Sequence, residues 1–411
     1  MPTFLLVDSS IYINGHSQPV NSVAFSTDGR KLFTGSLDGT AILWDAESGE
    51  VIHKLGEHKD SAVSVAFSLD GQKLITGYWD GTAILWDAES GEIIHKLREH
   101  KKYVYSVVFS QDGRKLITCY RGGTAILWDA ESGQVIHKLK EHKDSVVSVA
   151  FSLDGRKLIT GSFDSTAILW NVESGQVIHK LREHKDSVVS VDFSPDGRKL
   201  ITGSFDSTAI LWNAESGEVI HKLREHKDSV VSVDFSPNGR KLITGSWDGT
   251  SILWDAESGE VIHKIREHKD SVVSVAFSPD GQKLLTGSFD STVILWDAES
   301  GQVICKLREH KDSVTNVAFS PDGRRLLTGY RDGTSTISDT ETGQKICQTP
   351  TPFYSLDHFN HYDILVWFVL VCLLIFFPFT SVFDKGRYLY LRKPNRYLSI
   401  YDLPGIEKWI G

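Results

Sequence analysis

Histidine, threonine and aspartate, three residue types that can act together in catalysis, recur along this sequence at a fixed interval. His142, Thr160 and Asp164 form one such set, with Trp170 following, and similar sets recur every 42 residues. An imidazole between a hydroxyl and a carboxylate is the arrangement that activates a nucleophile in hydrolases. Because the trio recurs in most copies together with a tryptophan, it indicates a structural repeat rather than a single active site.

Metal binding is a second chemistry that the histidines could support, since His53 and His58 lie five residues apart and the pair has copies along the chain. A strand end and a turn separate the two, so we expect them to point in different directions, and no cysteine or carboxylate recurs with ligand spacing. Phosphate-binding, dinucleotide-binding, serine-hydrolase and zinc-protease motifs are also missing from the sequence. We therefore predict no metal, no cofactor and no enzymatic activity.

The composition narrows the class of partner and the compartment. The net charge is −9 with 24% charged residues, so no basic excess favours nucleic acid. The four cysteines, Cys119, Cys305, Cys347 and Cys372, are scattered without the spacing of a disulfide framework or a zinc site. The first residues carry no positive charge and only a short apolar run, unlike a signal peptide. These features predict a cytoplasmic protein.

The elements that position the histidines follow from the repeat itself. In the unit that begins at His142, the segments SVVSVAFS, KLITGS, TAILWN and QVIHKL are rich in β-branched and aromatic residues, and small polar turn residues separate them. Each unit is therefore predicted to be an antiparallel four-stranded meander. Such a sheet has two apolar faces, so neighbouring units must stack, and a closed ring leaves no end exposed. The eight units begin at residues 16, 58, 100, 142, 184, 226, 268 and 310.

Units of 42 residues with a histidine before the first strand, an aspartate in the second turn and Trp-Asp at the end of the third strand resemble the WD-repeat β-propellers. The resemblance covers residues 16–351 and implies an all-β, eight-bladed propeller of four-stranded antiparallel blades. It also implies that residues 1–15 supply a strand that closes the ring. In that case Phe4 to Ile13 would complete the last blade in competition with Lys345 to Gln348. Seven closed blades with one displaced stay open as an alternative.

The resemblance further implies a buried hydrogen-bonded network of histidine, threonine, aspartate and tryptophan in each blade. The network would comprise His58, Thr76, Asp80 and Trp86 in the second unit, His142, Thr160, Asp164 and Trp170 in the fourth, and His226, Thr244, Asp248 and Trp254 in the sixth. The third unit has Gly122 in place of the aspartate, and the eighth has Ser338 in place of the tryptophan. We predict that these two blades are the least stable, which uniform hydrogen-exchange protection around the ring would contradict.

One position, just before the turn aspartate, changes chemically from unit to unit, and the resemblance implies that it faces outward on the rim that binds partners. In the first unit this residue is Leu37. In the other units it is Trp79, Arg121, Phe163, Phe205, Trp247, Phe289 and Arg331, which together with Tyr103 are the candidate partner-binding residues. Aromatic and arginine side chains dominate interface hot spots. The alternative is that the aromatics pack over the hairpin turn. Asp192 and Asp234, which replace alanine in two innermost strands, are predicted to be solvated.

The predicted function is a monomeric scaffold that binds protein or peptide partners through this aromatic rim. A lectin-like or small-ligand-binding role on the same rim is the alternative, without catalysis and without nucleic acid. The C-terminal extension, residues 352–411, differs in composition because residues 364–383 carry no charge. This segment is long enough to cross a membrane as a helix, which would tether a cytoplasmic propeller. The alternative interpretation is an apolar strand or flap that packs on the propeller.

Overall fold

Every 42-residue unit forms one blade in the computed structural model, which describes residues 15–56, 60–99, 102–307 and 312–348 and three short strands between residues 383 and 399. The four strands of each blade follow one another in chain order and pair antiparallel with their neighbours. Eight such sheets close into a ring, so the predicted eight-bladed β-propeller is confirmed.

The first strand of each blade lies innermost, since it contacts the first strands of both neighbouring blades around the ring. These strands are β1 (Val20–Phe25), β5 (Ala62–Phe67), β9 (Val104–Phe109), β13 (Val146–Phe151), β17 (Val188–Phe193), β21 (Val230–Phe235), β25 (Val272–Phe277) and β29 (Val314–Phe319).

The second and third strands are almost completely buried because neighbouring blades cover both of their faces. Their sequences are accordingly continuous apolar runs rather than alternating ones. The second strands are β2 (Lys31–Ser36), β6 (Lys73–Tyr78), β10 (Lys115–Tyr120), β14 (Lys157–Ser162), β18 (Lys199–Ser204), β22 (Lys241–Ser246), β26 (Lys283–Ser288) and β30 (Arg325–Tyr330). The third strands are β3 (Ala41–Asp45), β7 (Ala83–Asp87), β11 (Thr124–Asp129), β15 (Ala167–Asn171), β19 (Ala209–Asn213), β23 (Ser251–Asp255), β27 (Val293–Asp297) and β31 (Ser335–Asp339).

The fourth strand of each blade forms the outer edge and is only partly buried. A charged or polar residue in each of these edge strands discourages pairing with another chain. The fourth strands are β4 (Val51–Leu55), β8 (Ile93–Leu97), β12 (Val135–Leu139), β16 (Val177–Leu181), β20 (Val219–Leu223), β24 (Val261–Ile265), β28 (Val303–Leu307) and β32 (Lys345–Gln348).

The hydrophobic core is divided among the seams between blades. At the seam of blades 4 and 5, for example, Ile159 and Leu169 from one sheet pack with Val188, Leu200 and Trp212 from the next. Each blade therefore depends on its neighbours for burial of its apolar faces, as expected for a repeat that cannot fold alone.

The ring closes where blade 8 meets blade 1. The Thr315 hydroxyl donates to Val20 O at 2.6 Å, and the Arg325 guanidinium donates to Gly29 O at 2.8 Å and to Ala46 O at 3.1 Å. The outer position of blade 8 is occupied by β32, the competitor that the sequence offered for that place. Residues 4–13 lie outside the described residues, so closure by the N-terminal strand stays a prediction.

The turn between the second and third strands requires a left-handed backbone conformation. Gly39 and Gly81 supply it with φ of 83° and 87°, whereas Ser165, Ser207 and Ser291 adopt φ of 67° to 68° at the same position. Glycine enters this region without steric cost, while a serine does not, so the three serine turns carry local strain that the surrounding hydrogen bonds must offset.

The chain divides into two compact units, residues 1–352 and 353–411. In the second unit the described residues form a three-stranded antiparallel sheet of β33 (Phe383–Asp384), β34 (Leu389–Lys393) and β35 (Arg396–Ser399). Apart from Phe383, which begins β33, the predicted membrane segment 364–383 lies outside the described residues. Among the residues that are described, no helix has the length and apolar character needed to cross a membrane.

Candidate partner-binding surface

In every blade two loops meet at one edge of the sheet: the loop that precedes the first strand and the turn that joins the second and third strands. In blade 4 the backbone N–H of Phe163, in the turn, donates to Ser145 O, in the loop, at 3.0 Å. We call the edge that these loops form around the ring the upper rim. The opposite edge, which holds the turns between the first and second strands, is the lower rim.

A buried network fixes the two upper-rim loops to each other. In blade 4 Trp170 Nε1 donates to the Thr160 hydroxyl at 2.9 Å, and that hydroxyl lies 2.8 Å from His142 Nε2. His142 Nδ1 donates to Asp164 at 3.0 Å, and Asp164 also accepts from the Thr166 hydroxyl at 2.6 Å. Burial by itself would raise the pKa of Asp164, but the hydrogen bonds from His142 and Thr166 outweigh it and hold the pKa well below its ordinary value.

The network occurs again in blade 6, where Trp254 donates to Thr244 at 3.0 Å, and His226 contacts Thr244 at 2.7 Å and Asp248 at 3.2 Å. In blade 2 Trp86 donates to Thr76 at 2.9 Å, and Asp80 accepts from the backbone of Thr82 at 2.8 Å. His58 lies outside the described residues.

The geometry of the repeated trio explains why it is not a nucleophile. Thr160 is 0% exposed, and its hydroxyl is already engaged by the indole of Trp170, by His142 and by Ile168 O. A substrate could not reach this oxygen without unfolding the blade. In blades 3 and 8, Gly122 and Ser338 leave the network without its carboxylate and its indole respectively. The lower stability of these blades stays a prediction.

The aromatic residues of the upper rim form contacts with one another across blades. Phe163 and Phe205 stack at 6.5 Å between ring centroids, and Phe205 meets Trp247 at 5.1 Å. Tyr105, from the first strand of blade 3, extends this row by contacting Phe163 at 6.1 Å. We call these four residues the aromatic arc. Phe163, Phe205 and Trp247 are half-buried, because neighbouring blades bring the rings close enough to shield one another.

Blades 2 and 3 together present a separate stack on the same rim. Trp79 and Tyr103 stack at 5.7 Å with 27° between ring planes, and the guanidinium carbon of Arg121 lies 5.3 Å from the Tyr103 ring centroid. Tyr103 is 40% exposed, and Arg121 is exposed as well. Phe289 and Arg331, in blades 7 and 8, are half-buried at the equivalent position of their turns. The structure thus brings the predicted residues onto one rim but divides them into local groups.

Sequence reasoning did not identify two further features of the surface. Tyr105 occupies a position that is valine in most units, and this departure was the signal that could have revealed it. The other is a set of latches between blades: a histidine in an outer strand donates through Nε2 to a glutamate carbonyl of the next blade. His179, for example, lies 2.7 Å from Glu215 O and packs on Gly217. The other latch histidines are His53, His95, His137, His221 and His263.

The two aspartates of the innermost strands, which were predicted to be solvated, are half-buried and lie against each other. Asp192 accepts from the backbone N–H of Phe193 at 2.8 Å, Asp234 accepts from that of Phe277 at 2.7 Å, and the two carboxyl groups are hydrogen-bonded to each other. Burial raises the pKa of Asp192 to about 6, and burial together with the neighbouring Asp192 raises the pKa of Asp234 well above its ordinary value. The pair therefore shares a proton. Among the described residues, no group of His, Cys, Asp and Glu could hold a metal ion.

Comparisons with known proteins agree with this architecture. A family model described as "WD domain, G-beta repeat" matches eight stretches of the chain: residues 8–45, 49–87, 91–129, 133–171, 175–213, 217–255, 259–297 and 301–337. WD repeat-containing protein 38 from Homo sapiens is 41% identical over 56 residues, which make up 14% of this chain and 18% of that relative.

Among solved structures, a crystal structure of the computationally designed Ika8 protein aligns with a TM-score of 0.72 at 23% identity. The alignment covers 79% of this chain and 98% of the designed one. At this identity the likeness concerns the fold alone.

Proposed function

This chain belongs to the WD-repeat family of β-propellers, and from that premise we propose that it is a non-catalytic scaffold whose upper rim binds protein or peptide partners. Propellers of this family generally serve as protein-interaction scaffolds. The single observation that carries the proposal here is the aromatic arc. Across the eight units the turn position that supplies Phe163, Phe205 and Trp247 changes among leucine, tryptophan, arginine and phenylalanine, while the network beneath it is nearly constant.

The physical basis is that aromatic side chains contribute large contact areas at little entropic cost, which is why they are enriched at hot spots. Because the rings of the aromatic arc already contact one another, their positions are fixed before a partner arrives. A partner therefore meets a preorganised surface, whose side chains lose less conformational entropy on binding than mobile side chains would.

The proposal is tested by affinity capture from lysate with quantitative mass spectrometry, using the full chain and a variant with Phe163→Ala, Phe205→Ala and Trp247→Ala. The matched control carries Leu69→Ala and Leu153→Ala, which remove exposed apolar side chains from the lower rim. Proteins retained by the parent and by the control but lost from the first variant support the upper rim. Equal capture by all three chains, each with a cooperative thermal transition, refutes it. A glycan and metabolite panel read by thermal shift tests the alternative of small-ligand binding on the same rim.

We also propose that residues 364–383 attach a cytoplasmic, monomeric propeller to a membrane. The support is the uncharged composition of the segment, whose length suits a single crossing of the hydrocarbon layer. Fractionation of cells that express either the full chain or a chain ending at residue 352 tests this. Recovery of the full chain in the soluble fraction would contradict the attachment, and light scattering of the shorter chain measures its oligomeric state.

A further inference from the structure

Blade 3 inverts the charge of the upper rim. Two residues after the recurring histidine, six of the units carry an aspartate, whereas blade 3 has Lys102. At the turn between the second and third strands, seven units carry an aspartate, whereas blade 3 has Arg121 followed by Gly122. Blade 4 has Asp144, Phe163 and Asp164 at the three equivalent positions. Two negative charges in one blade thus correspond to two positive charges in its neighbour.

The structure places the ammonium group of Lys102 at the turn from which the aspartate is missing. A Cβ at Gly122 would lie only 2.6 Å from Lys102 Nζ. In blade 4 the turn carboxylate, Asp164, lies at the equivalent place and accepts from the Lys143 backbone at 2.7 Å. An ammonium group in blade 3 therefore lies next to the position from which a carboxylate would extend.

The second cation, Arg121, lies beside Gly122 in sequence, and its guanidinium carbon lies over the Tyr103 ring at 5.3 Å from the centroid. Neither Lys102 nor Arg121 has an ion pair with any described residue, although lysines of the outer strands do form such pairs, as Lys138 does with Glu99 and Lys180 with Glu141. We call Lys102 and Arg121 the basic patch. The two positive charges of this patch are exposed, and they lie next to the aromatic stack of Tyr103 and Trp79.

We propose that the basic patch binds the carboxylates of an acidic peptide segment in a partner protein, with Tyr103 and Trp79 contacting an apolar side chain beside them. This proposal rests on the proposed function of the upper rim. The chain as a whole has a net charge of −9, which repels an anionic partner at long range, whereas the two cations of the basic patch attract it locally. The aspartates of the neighbouring blade, Asp144 and Asp164, limit the attractive region to one blade, which favours a short acidic segment over an extended polyanion.

The experiment measures fluorescence anisotropy of a short labelled peptide that alternates glutamate with phenylalanine, titrated with the full chain. A peptide with glutamine in place of glutamate is the neutral comparison. The test variant carries Lys102→Asp and Arg121→Phe, the residues that blade 4 has at these positions, and Arg156→Asp on the lower rim is the charge control. A Lys102→Gln and Arg121→Gln variant provides the same information if the first variant fails to fold.

We expect the glutamate peptide to bind the parent and the lower-rim control with affinities within about twofold, and the test variant at least about tenfold more weakly. Added salt should weaken binding to the parent because both cations are exposed to solvent. Equal binding of the glutamate and glutamine peptides, or an unchanged affinity in the test variant, would overturn the proposal. Tighter binding of a phosphoserine peptide or of a short RNA than of the glutamate peptide would also overturn it, since phosphate would then be the preferred group.

These outcomes are independent of the test for the aromatic arc. If the acidic peptide fails to bind while the Phe163, Phe205 and Trp247 variant still loses captured proteins, the basic patch is refuted and the upper rim stands. If the acidic peptide binds as expected while that variant captures the same proteins as the parent, the aromatic arc is refuted and anion binding in blade 3 stands.

Discussion

Arg325 is the residue on which closure of the ring should depend most. The other units carry lysine at this position, and Lys241 shows what that lysine does: its ammonium donates to Ala298 O of the next blade at 2.9 Å. Arg325 makes the equivalent bond to Ala46 O and adds a second one to Gly29 O. The seam between blades 8 and 1 differs from the other seams because no short interblade loop joins its two blades.

The expected decrease in the free energy of unfolding follows from the number of hydrogen bonds that each substitution removes. A hydrogen bond from a charged donor contributes roughly 1.5–3 kcal/mol, and the lower value applies because Arg325 is only half-buried. Arg325→Ala removes two such bonds and should lower the free energy of unfolding by about 3 kcal/mol. Arg325→Lys keeps the bond to Ala46 and should cost about 1.5 kcal/mol, the same as Lys241→Ala, which removes a single bond.

Urea unfolding of these three variants measures the total loss of stability, and peptide-resolved hydrogen exchange shows which strands lose protection. Arg325→Ala should expose β1 and β29 to exchange earlier than the other innermost strands, because that seam can part without stretching a connecting loop. Lys241→Ala should raise exchange more evenly. If the two alanine variants lose equal stability and show the same pattern of exchange, Arg325 has no special role in closure.

Three other substitutions test separate parts of the fold. Thr160→Val leaves the indole and the imidazole of its blade without their shared hydroxyl and should cost about 3 kcal/mol in urea unfolding, whereas Thr160→Ser should recover most of that loss. The shared proton of Asp192 and Asp234 makes the folded chain bind protons more tightly than the unfolded chain, in which an aspartate has a pKa of about 3.9. The contribution of this pair to the stability of the folded chain is therefore lost as pH rises from about 4 through about 6. Replacing both with alanine should therefore shift the melting temperature increasingly in favour of the variant across that window; a constant difference would contradict the shared proton. His179→Ala should cost about 1 kcal/mol, and Gly217→Ala should cost more because a Cβ would lie 2.7 Å from that imidazole at a left-handed φ of 73°; the opposite order in thermal unfolding would contradict the latch.

Most of the fold was predictable because its determinants are local and are repeated eight times. The strand segments of one unit, their turn residues and the recurring histidine locate every sheet and the network within it, as the Thr160 and Trp170 pair shows. The number of repeat units also followed from the sequence. The sequence could not decide whether eight units close, because closure depends on contacts such as those of Arg325, which join residues almost 300 positions apart.

The candidate site was predictable in position but not in exposure. Variation before the turn aspartate identified Phe163 and Phe205, yet nothing in one unit indicates that the rings of successive blades shield each other. The same reason explains Asp192 and Asp234: equivalent positions in adjacent innermost strands lie side by side, so two substitutions 42 residues apart create one carboxyl pair. A sequence pattern within one unit predicts the strands and the buried network of that unit, whereas contacts between units can be identified only from the structure.

Each sheet of this propeller is built from one uninterrupted stretch of chain, since the strands of every blade follow in sequence order. In genetic terms, the repeat boundary and the structural boundary coincide. Unequal recombination between neighbouring copies would therefore insert or delete one whole blade and leave the remaining sheets intact. The near-identity of the seams means that a new copy meets neighbours it already fits. Recombination could thus change the diameter of the ring and the combination of rim residues it displays in a single event, without an intermediate that carries half a sheet.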